Sequence, residues 1–284
     1  MKYNSLQIFD FQSDLTDDEL NQMLSKRAFM NCGPFEKDLW TWTSPYGIGS
    51  DTLVLKSGPF TMLALEKHTK ILPKEVIMQE AYQRQKNAGE DVEKIQKQFI
   101  HQATEHLLPK AFDRRKKVTL TFDNTNGRVY INNISKSLCD DMFIWLKKNL
   151  SPVTFAPLEV NTTPASLMHN WITGSSHNDF FKVENDCQLK DDQSPATITV
   201  KHQELQSESI LNHLKDKSVT KVALCWNDCA SFILQDDLKI ARLKYHSIEN
   251  EDNHENMAAQ AEADCIVYGD LYRQLSQQLI EELS

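Results

Sequence analysis

The densest run of chemically committed side chains is Lys110-Ala-Phe-Asp-Arg-Arg-Lys-Lys117, with six charged residues and a net charge of +4. Lysine and arginine at this density neutralise phosphates and release their counterions, which gives affinity for a polyanion without reading its sequence. Phe112 lies inside the run and is able to stack on a base or wedge a partner. The competing reading is that the charges form a solvated face and Phe112 fills core beneath them. Lys67, Lys70, Lys74, Arg84, Lys86, Lys94 and Lys97 precede the run and widen the basic patch if the chain between them folds back on itself.

Other spacings point to less. Cys225-Trp-Asn-Asp-Cys229 has one close cysteine pair, but structural zinc needs four ligands and no second pair is visible. Both cysteines flank an expected turn, where each is read as filling core space. His101 and His106 are five apart on an expected helix, about 140° around it, and so do not share a ligand. Asp123, Asp228, Asp236 and Asp237 fall at strand ends or turns, where aspartate is favoured for turn chemistry alone. A metal-dependent nuclease built on them is the enzymatic alternative, although no lysine is interleaved with them in a catalytic spacing. There is no G-x-S-x-G, no G-x-x-x-x-G-K and no G-x-G-x-x-G, and only 8 glycines in all, which argues against a nucleotide-phosphate cradle. No cofactor and no metal are expected.

The elements that would position these residues can be read from periodicity. Leu6, Ile8 and Phe9 suit a strand, and Thr16 with Glu19 forms a capping box for a helix to about Ser25. Short β-type runs follow near 39–42, 52–55 and 60–65. After Pro73 a helical stretch of about 14 residues ends near Gly89. A second helix carries Val92, Ile95, Phe99, Ala103 and Leu107 at spacings of 3 and 4. That stripe suits one partner helix and not a deep core, so 73–110 reads as a projecting helical hairpin roughly 20 Å long.

Val118, Leu120 and Phe122 then alternate, Asn126-Gly127 supplies a turn, and Val129-Tyr130-Ile131 runs back. A helix with Leu138, Met142, Trp145 and Leu146 follows, and Thr163-Pro164 opens another. Residues 174–195 read as a polar surface connection. A strand at 196–202, a helix at 207–217 and an antiparallel meander over 221–226, 231–235 and 238–244 come next. An acidic stretch from Glu249 to Glu255 leads to a helix, a short run at 265–268 and a last helix capped by Asp270. The expected class is α+β: antiparallel sheets with packed helices and a projecting hairpin finger. Residues 1–72 and 118–158 form a central domain, 73–117 the finger and 159–284 a C-terminal base domain.

Composition bounds the partner. The 284 residues carry 31 Lys+Arg against 40 Asp+Glu, a formal charge of −9, with 40% apolar residues and a mean hydropathy of −0.50. No window approaches the roughly 18 uncharged apolar residues of a membrane span. The first residues lack a continuous apolar segment, so no secretory leader and a cytoplasmic location are expected. Six scattered cysteines suit reduced thiols. The acidic total argues against DNA until it is divided: residues 66–118 carry a net +4, residues 1–65 a net −3 and residues 119–284 a net −10. A third alternative, an acidic protein-interaction module, rests on the same balance.

Several segments together resemble one family. Lys70-Ile-Leu-Pro-Lys-Glu-Val-Ile77 and His106-Leu-Leu-Pro-Lys-Ala-Phe112 are similar to the two ends of the finger in the recombination-associated RdgC proteins. Asp123-Asn-Thr-Asn-Gly127, Lys201-His-Gln-Glu-Leu205, Val219-Thr-Lys-Val-Ala-Leu-Cys-Trp226, and Ala261-Glu-Ala-Asp264 followed by Gly269 match in the same order and with similar spacings. The resemblance implies a nucleoid-associated, non-enzymatic protein that binds DNA without sequence preference, double-stranded and also single-stranded. It implies a homodimer closing a ring around duplex DNA, joined through the base regions and the fingertips, which limits access of the RecA recombinase.

Carried over, Phe112 takes an aromatic position at the finger's end, and Lys201, His202 and Gln203 a polar segment near the ring's closure. A histidine stands at 202 where a second basic residue is expected, which puts a titratable side chain in that contact. The expected DNA-binding set is Lys70, Lys74, Lys110, Phe112, Arg114, Arg115, Lys116, Lys117, Lys201 and Gln203. The expected ring-closing set is Phe112, His202 and Gln203.

Overall fold

A computed structural model describes residues 2–47, 49–133, 135–176, 178–191, 193–246 and 257–284. The fold is α+β, with a large antiparallel sheet and, among the described residues, seven α helices. The chain divides into two compact units: Met1–Thr16, Val54–Met62 and Thr119–Ser284 form the first, and Asp17–Leu53 with Leu63–Val118 the second.

In the first unit, β1 (Ser5–Gln12) is the central strand, with Leu6 and Ile8 buried. One of its edges pairs antiparallel with β6 (Arg128–Ile131), which runs back from β5 (Asp113–Asp123). Its other edge pairs first with β12 (Ile240–Tyr245) and then with β7 (Thr154–Pro157). From β12 the ladder continues through β11 (Ala230–Gln235), β10 (Lys217–Trp226), β8 (Phe181–Asp191) and β9 (Thr197–Val200). The expected meander is β10–β12. In β11, Ala230, Phe232 and Leu234 are buried while Ser231, Ile233 and Gln235 are half-buried, the period-2 pattern of a strand with one covered face. The short strand β3 (Val54–Ser57) pairs with β4 (Phe60–Lys70).

Helix α4 (Lys136–Asn149) lays Phe143 against Phe9 and Phe155, with ring centroids 4.8 and 5.4 Å apart. Helix α5 (Pro164–Thr173) begins as its sequence requires: Thr163 Oγ1 accepts the Ser166 amide, and Pro164 occupies a position whose N–H has no helical partner. It ends at Gly174, whose φ of 71° is the left-handed conformation glycine adopts without steric cost. The short helix α6 is Glu208–His213.

Four expectations are corrected. Residues 174–195, by composition a polar connection, contain the 11-residue strand β8. Phe181, Cys187 and Leu189 are buried among two lysines, two aspartates, Glu184, Asn185 and Gln188, and burial against β10 outweighs the poor β propensity of those polar residues. The helix at 207–217 stops at His213, and β10 starts at Lys217, four residues early. The second helix of the expected hairpin starts at Lys97, so Val92 and Ile95 precede it.

At the C-terminus a single 27-residue helix, α7 (Met257–Leu283), replaces helix, run and capped helix. The β-like stretch at 265–268 and Gly269 lie inside it because tertiary packing overrides local propensity. Tyr272 of α7 stacks on Tyr3 at 4.9 Å, and a Cβ built on Gly269 would come within 2.7 Å of the Phe60 ring. The acidic stretch at 249–255 lies outside the described residues.

In the second unit, α1 (Asp17–Ser25) is the helix opened by the Thr16 and Glu19 pattern. Strand β2 (Asp38–Thr43) pairs antiparallel with β4, which runs on to Lys70 and so extends beyond the expected 60–65. Helices α2 (Lys74–Asn87) and α3 (Lys97–Leu107) pack on each other through a small core of Ala81, Phe99 and Ala103, edged by Ile77, Ile95 and Ile100. Gln85, fully buried, accepts the Gln96 amide at 2.9 Å and donates to the main chain at Asp91 and Lys94, fixing the 88–96 connection.

Candidate nucleic-acid interface

The basic run sorts itself by strand geometry. Residues 113–117 begin β5, so successive side chains point to opposite faces. Asp113, Arg115 and Lys117 share one face, and all three are engaged. Lys70 lies 3.3 Å from Asp113 and is almost fully buried, at 8% exposure. Arg115 donates to Asn31 at 3.2 Å and stands 3.8 Å from Glu66, whose other contact is His68 Nε2 at 2.8 Å. Lys117 donates to the Ser44 carbonyl at 2.7 Å. Desolvation of its ammonium lowers the Lys117 pKa, with Glu66 acting in the opposite direction.

Arg114 and Lys116 occupy the other face. Both are exposed, and among the described residues neither has an ion pair or a hydrogen bond. Phe112 precedes them, 84% exposed, where the chain leaves the 3-10 turn Leu108–Lys110. Its carbonyl accepts the Ile71 amide at 2.9 Å, which holds the backbone while the ring stays outside the core. The reading of Phe112 as core is thereby overturned. Ile71, bonded to Phe112 through this backbone contact, and Val76 of α2 are also exposed.

Lys74, in the first turn of α2, is exposed and unpaired among the described residues. Lys110 Nζ is 2.9 Å from His106 Nε2, and His106 Nδ1 is 3.1 Å from Glu80. The structure thus separates the expected set: Lys70, Arg115 and Lys117 are partly spent on internal contacts, whereas Lys74, Arg114 and Lys116 are not. Alternation would have revealed this from sequence had the strand been started at Asp113 and not at Val118.

In the first unit, Lys201, His202 and Gln203 form an exposed turn after β9. His202 has a φ of 53°, and its amide donates to Asp186 Oδ1 at 2.9 Å. The Gln203 amide donates to the Asn185 carbonyl at 3.1 Å, and its side chain reaches Ser209 at 3.4 Å.

The turn carboxylates do not converge. Asp123 is fully buried and gripped by Arg273, Nε to Oδ2 and Nη2 to Oδ1, both at 2.7 Å. Burial pushes its pKa up, but the Arg273 guanidinium and the amides of Thr125 and Asn126 outweigh burial and hold it below the ordinary value. Asp237 pairs with Lys239 at 2.7 Å. Burial and the neighbouring Asp237 raise the pKa of Asp236. Among the described residues no group of three or more His, Cys, Asp or Glu is arranged to hold a metal ion. Cys225 is buried as expected, but Cys229 is exposed, because it lies in the turn between Trp226 and Ala230 and not in either strand.

Residues 1–284 match the family model described as "Putative exonuclease, RdgC". The chain is 29% identical over 280 residues to the recombination-associated protein RdgC of Actinobacillus succinogenes, covering 95% of this chain and 92% of that protein. It is 28% identical over 275 residues to the Haemophilus influenzae protein of the same name, covering 93% and 91%. With the Tolumonas auensis one it shares 30% over 264 residues, covering 90% and 87%. The chain belongs to the RdgC family, a class of recombination-associated proteins.

Proposed function

We propose that this protein is a non-enzymatic DNA-binding protein that contacts phosphates through exposed lysines and arginines, without reading sequence. The observation that carries the reading is the exposed, unpaired face of Arg114 and Lys116 beside the exposed Phe112. Cations with no internal partner keep their full charge for an external anion, and an aromatic ring beside them suits a stacked base or an apolar partner. The association of its relatives with recombination supports the same reading.

The finer reading follows the family resemblance. The protein acts as a homodimer closed into a ring around duplex DNA, associates with the nucleoid and limits RecA access. Phe112, His202 and Gln203 contribute to closure, and Lys201 and Gln203 approach the DNA. The exposed side chains of Phe112 and of Ile71, whose backbone is bonded to it, support an apolar contact with a second copy. No described helix is long and apolar enough to cross a membrane.

The test is fluorescence anisotropy on unrelated duplexes and single strands of equal length, with linear and circular DNA compared in a retention assay. Similar affinity for all sequences, with retention on circles and loss from linear ends, is the expected outcome. A nuclease is the second reading, favoured by the description of the family model. Incubation with plasmid and magnesium or manganese separates the two: cleavage lost on mutating Asp236 and Asp237 would establish the nuclease.

A further inference from the structure

The sequence is most acidic over residues 119–284, yet three cations meet at one cavity on the β8–β12 sheet. A cavity of about 250 Å³ opens there, and Lys201, Lys221 and Arg242 line it together with Asp186, Gln188 and Gln235. The three cations and one carboxylate leave a local excess of two positive charges. None of the three cations forms an ion pair or a side-chain hydrogen bond among the described residues, and Asp186 already accepts the His202 amide. Gln188, Lys221 and Gln235 are direct cross-strand neighbours, so two amides flank the ammonium in one row.

The backbone around the cavity is irregular in a directed way. Between Ser231 and Ile233 of β11 the register slips, because β12 places two residues, Arg242 and Leu243, opposite Phe232 alone. Arg242 takes a φ of 54° in this bulge, a left-handed conformation that glycine adopts far more cheaply. Two further register shifts fall between Val219 and Lys221 and between Val222 and Leu224. Bulges re-aim side chains, and these three adjoin the segments that supply Arg242, Lys221 and Asp186. An arginine standing where backbone geometry favours glycine, beside Lys201 and Lys221, gathers more positive charge at the cavity than Asp186 and the nearby Asp236 balance.

We infer that this cavity is a second phosphate-binding site, taking backbone phosphates of DNA. The assignment rests on the DNA-binding reading above and adds Lys221 and Arg242, which that reading does not contain.

The test compares the full chain with K221Q/R242G and with K201Q/K221Q, measuring duplex affinity against salt on two unrelated sequences. Each lost phosphate contact lowers the slope of log K on log salt by about 1, so each variant is expected to lose about 2, equally on both sequences. The melting temperature of K221Q/R242G should be unchanged or higher, because glycine relieves the bulge. K201Q/K221Q leaves that backbone untouched if the first variant misfolds. A slope unchanged in both variants overturns the inference.

Calorimetry with pyrophosphate forms a separate arm. Pyrophosphate binding lost in the variants while the DNA slope stays constant would assign the cavity to a free phosphate and overturn the nucleic-acid assignment. If the unaltered protein binds no DNA at all, the proposed function falls. Pyrophosphate binding that is lost in the variants then still supports phosphate chemistry in the cavity, and its absence overturns that too.

Discussion

Arg273 of the C-terminal helix grips Asp123 at the end of β5 through two parallel hydrogen bonds of 2.7 Å, 150 residues away in sequence. The guanidinium also lies 4.5 Å over the Phe60 ring and 3.3 Å from Asp270. Asp123 in turn accepts the Thr125 amide at 3.0 Å and the Asn126 side chain at 3.1 Å, which ties the Asn126-Gly127 turn to the same carboxylate. Removing one partner leaves the other charge buried and unpaired. Arg273→Ala is expected to cost about 3–5 kcal/mol, read as a lower urea midpoint. A loss below about 1 kcal/mol, the range of exposed pairs, would contradict this account of the anchor.

The same pair fixes the sign of an acid dependence. The Asp123 pKa is lowered in the fold, so the stability it contributes is fully present above the unfolded carboxyl value of about 3.9. That stability is lost as pH falls through the lower folded value. Urea midpoints from pH 6 down to pH 3 should therefore fall further in the unaltered protein than in Asp123→Asn/Arg273→Gln.

Gly269 is there for space. Alanine normally improves a helix interior by about 1 kcal/mol, but here its Cβ would meet Phe60 Cδ2 and Cε2 at 2.7 Å, and Phe60 is fully buried. Gly269→Ala is expected to destabilise by about 1–3 kcal/mol through overpacking, measured by chemical denaturation. Stabilisation would show that Phe60 moves freely.

On β5 the two faces should behave differently. Reversing Arg114 and Lys116 to glutamate should weaken every DNA sequence alike and leave stability within about 0.5 kcal/mol, because neither side chain has an internal partner. Reversing Arg115 and Lys117 should lower stability as well, since it breaks the contacts to Asn31 and Ser44. A single sequence spared by the first variant would mean that those residues read bases.

Phe112→Ser should leave the melting temperature unchanged, the ring being exposed, while retention on circular DNA is lost, because a fingertip contact is removed and the base contact is untouched. Unchanged retention on circles would remove Phe112 from the closing contact.

Much of the fold was legible from periodicity. The runs 221–226, 231–235 and 238–244 announced the meander, and Thr163-Pro164 announced a helix start. What was hidden depended on tertiary partners. The strand at Phe181–Asp191 is polar by composition and becomes a strand by pairing with β10. Gly269 reads as a breaker until Phe60 is placed against it. For the candidate site, the sequence located the basic run but not its division into spent and free cations, which needs the strand start at Asp113. Lys221 and Arg242 are masked in the sequence by the 24 acidic residues over 119–284.

The central claim is that exposed cations bind DNA phosphates without regard to sequence. It is tested most directly by the affinity of the unaltered protein for two unrelated duplexes between about 50 and 200 mM salt. The account predicts a steep, linear fall of log K with log salt, with the same slope and the same affinity for both duplexes. A flat line, or slopes or affinities that differ between the two duplexes, would contradict it.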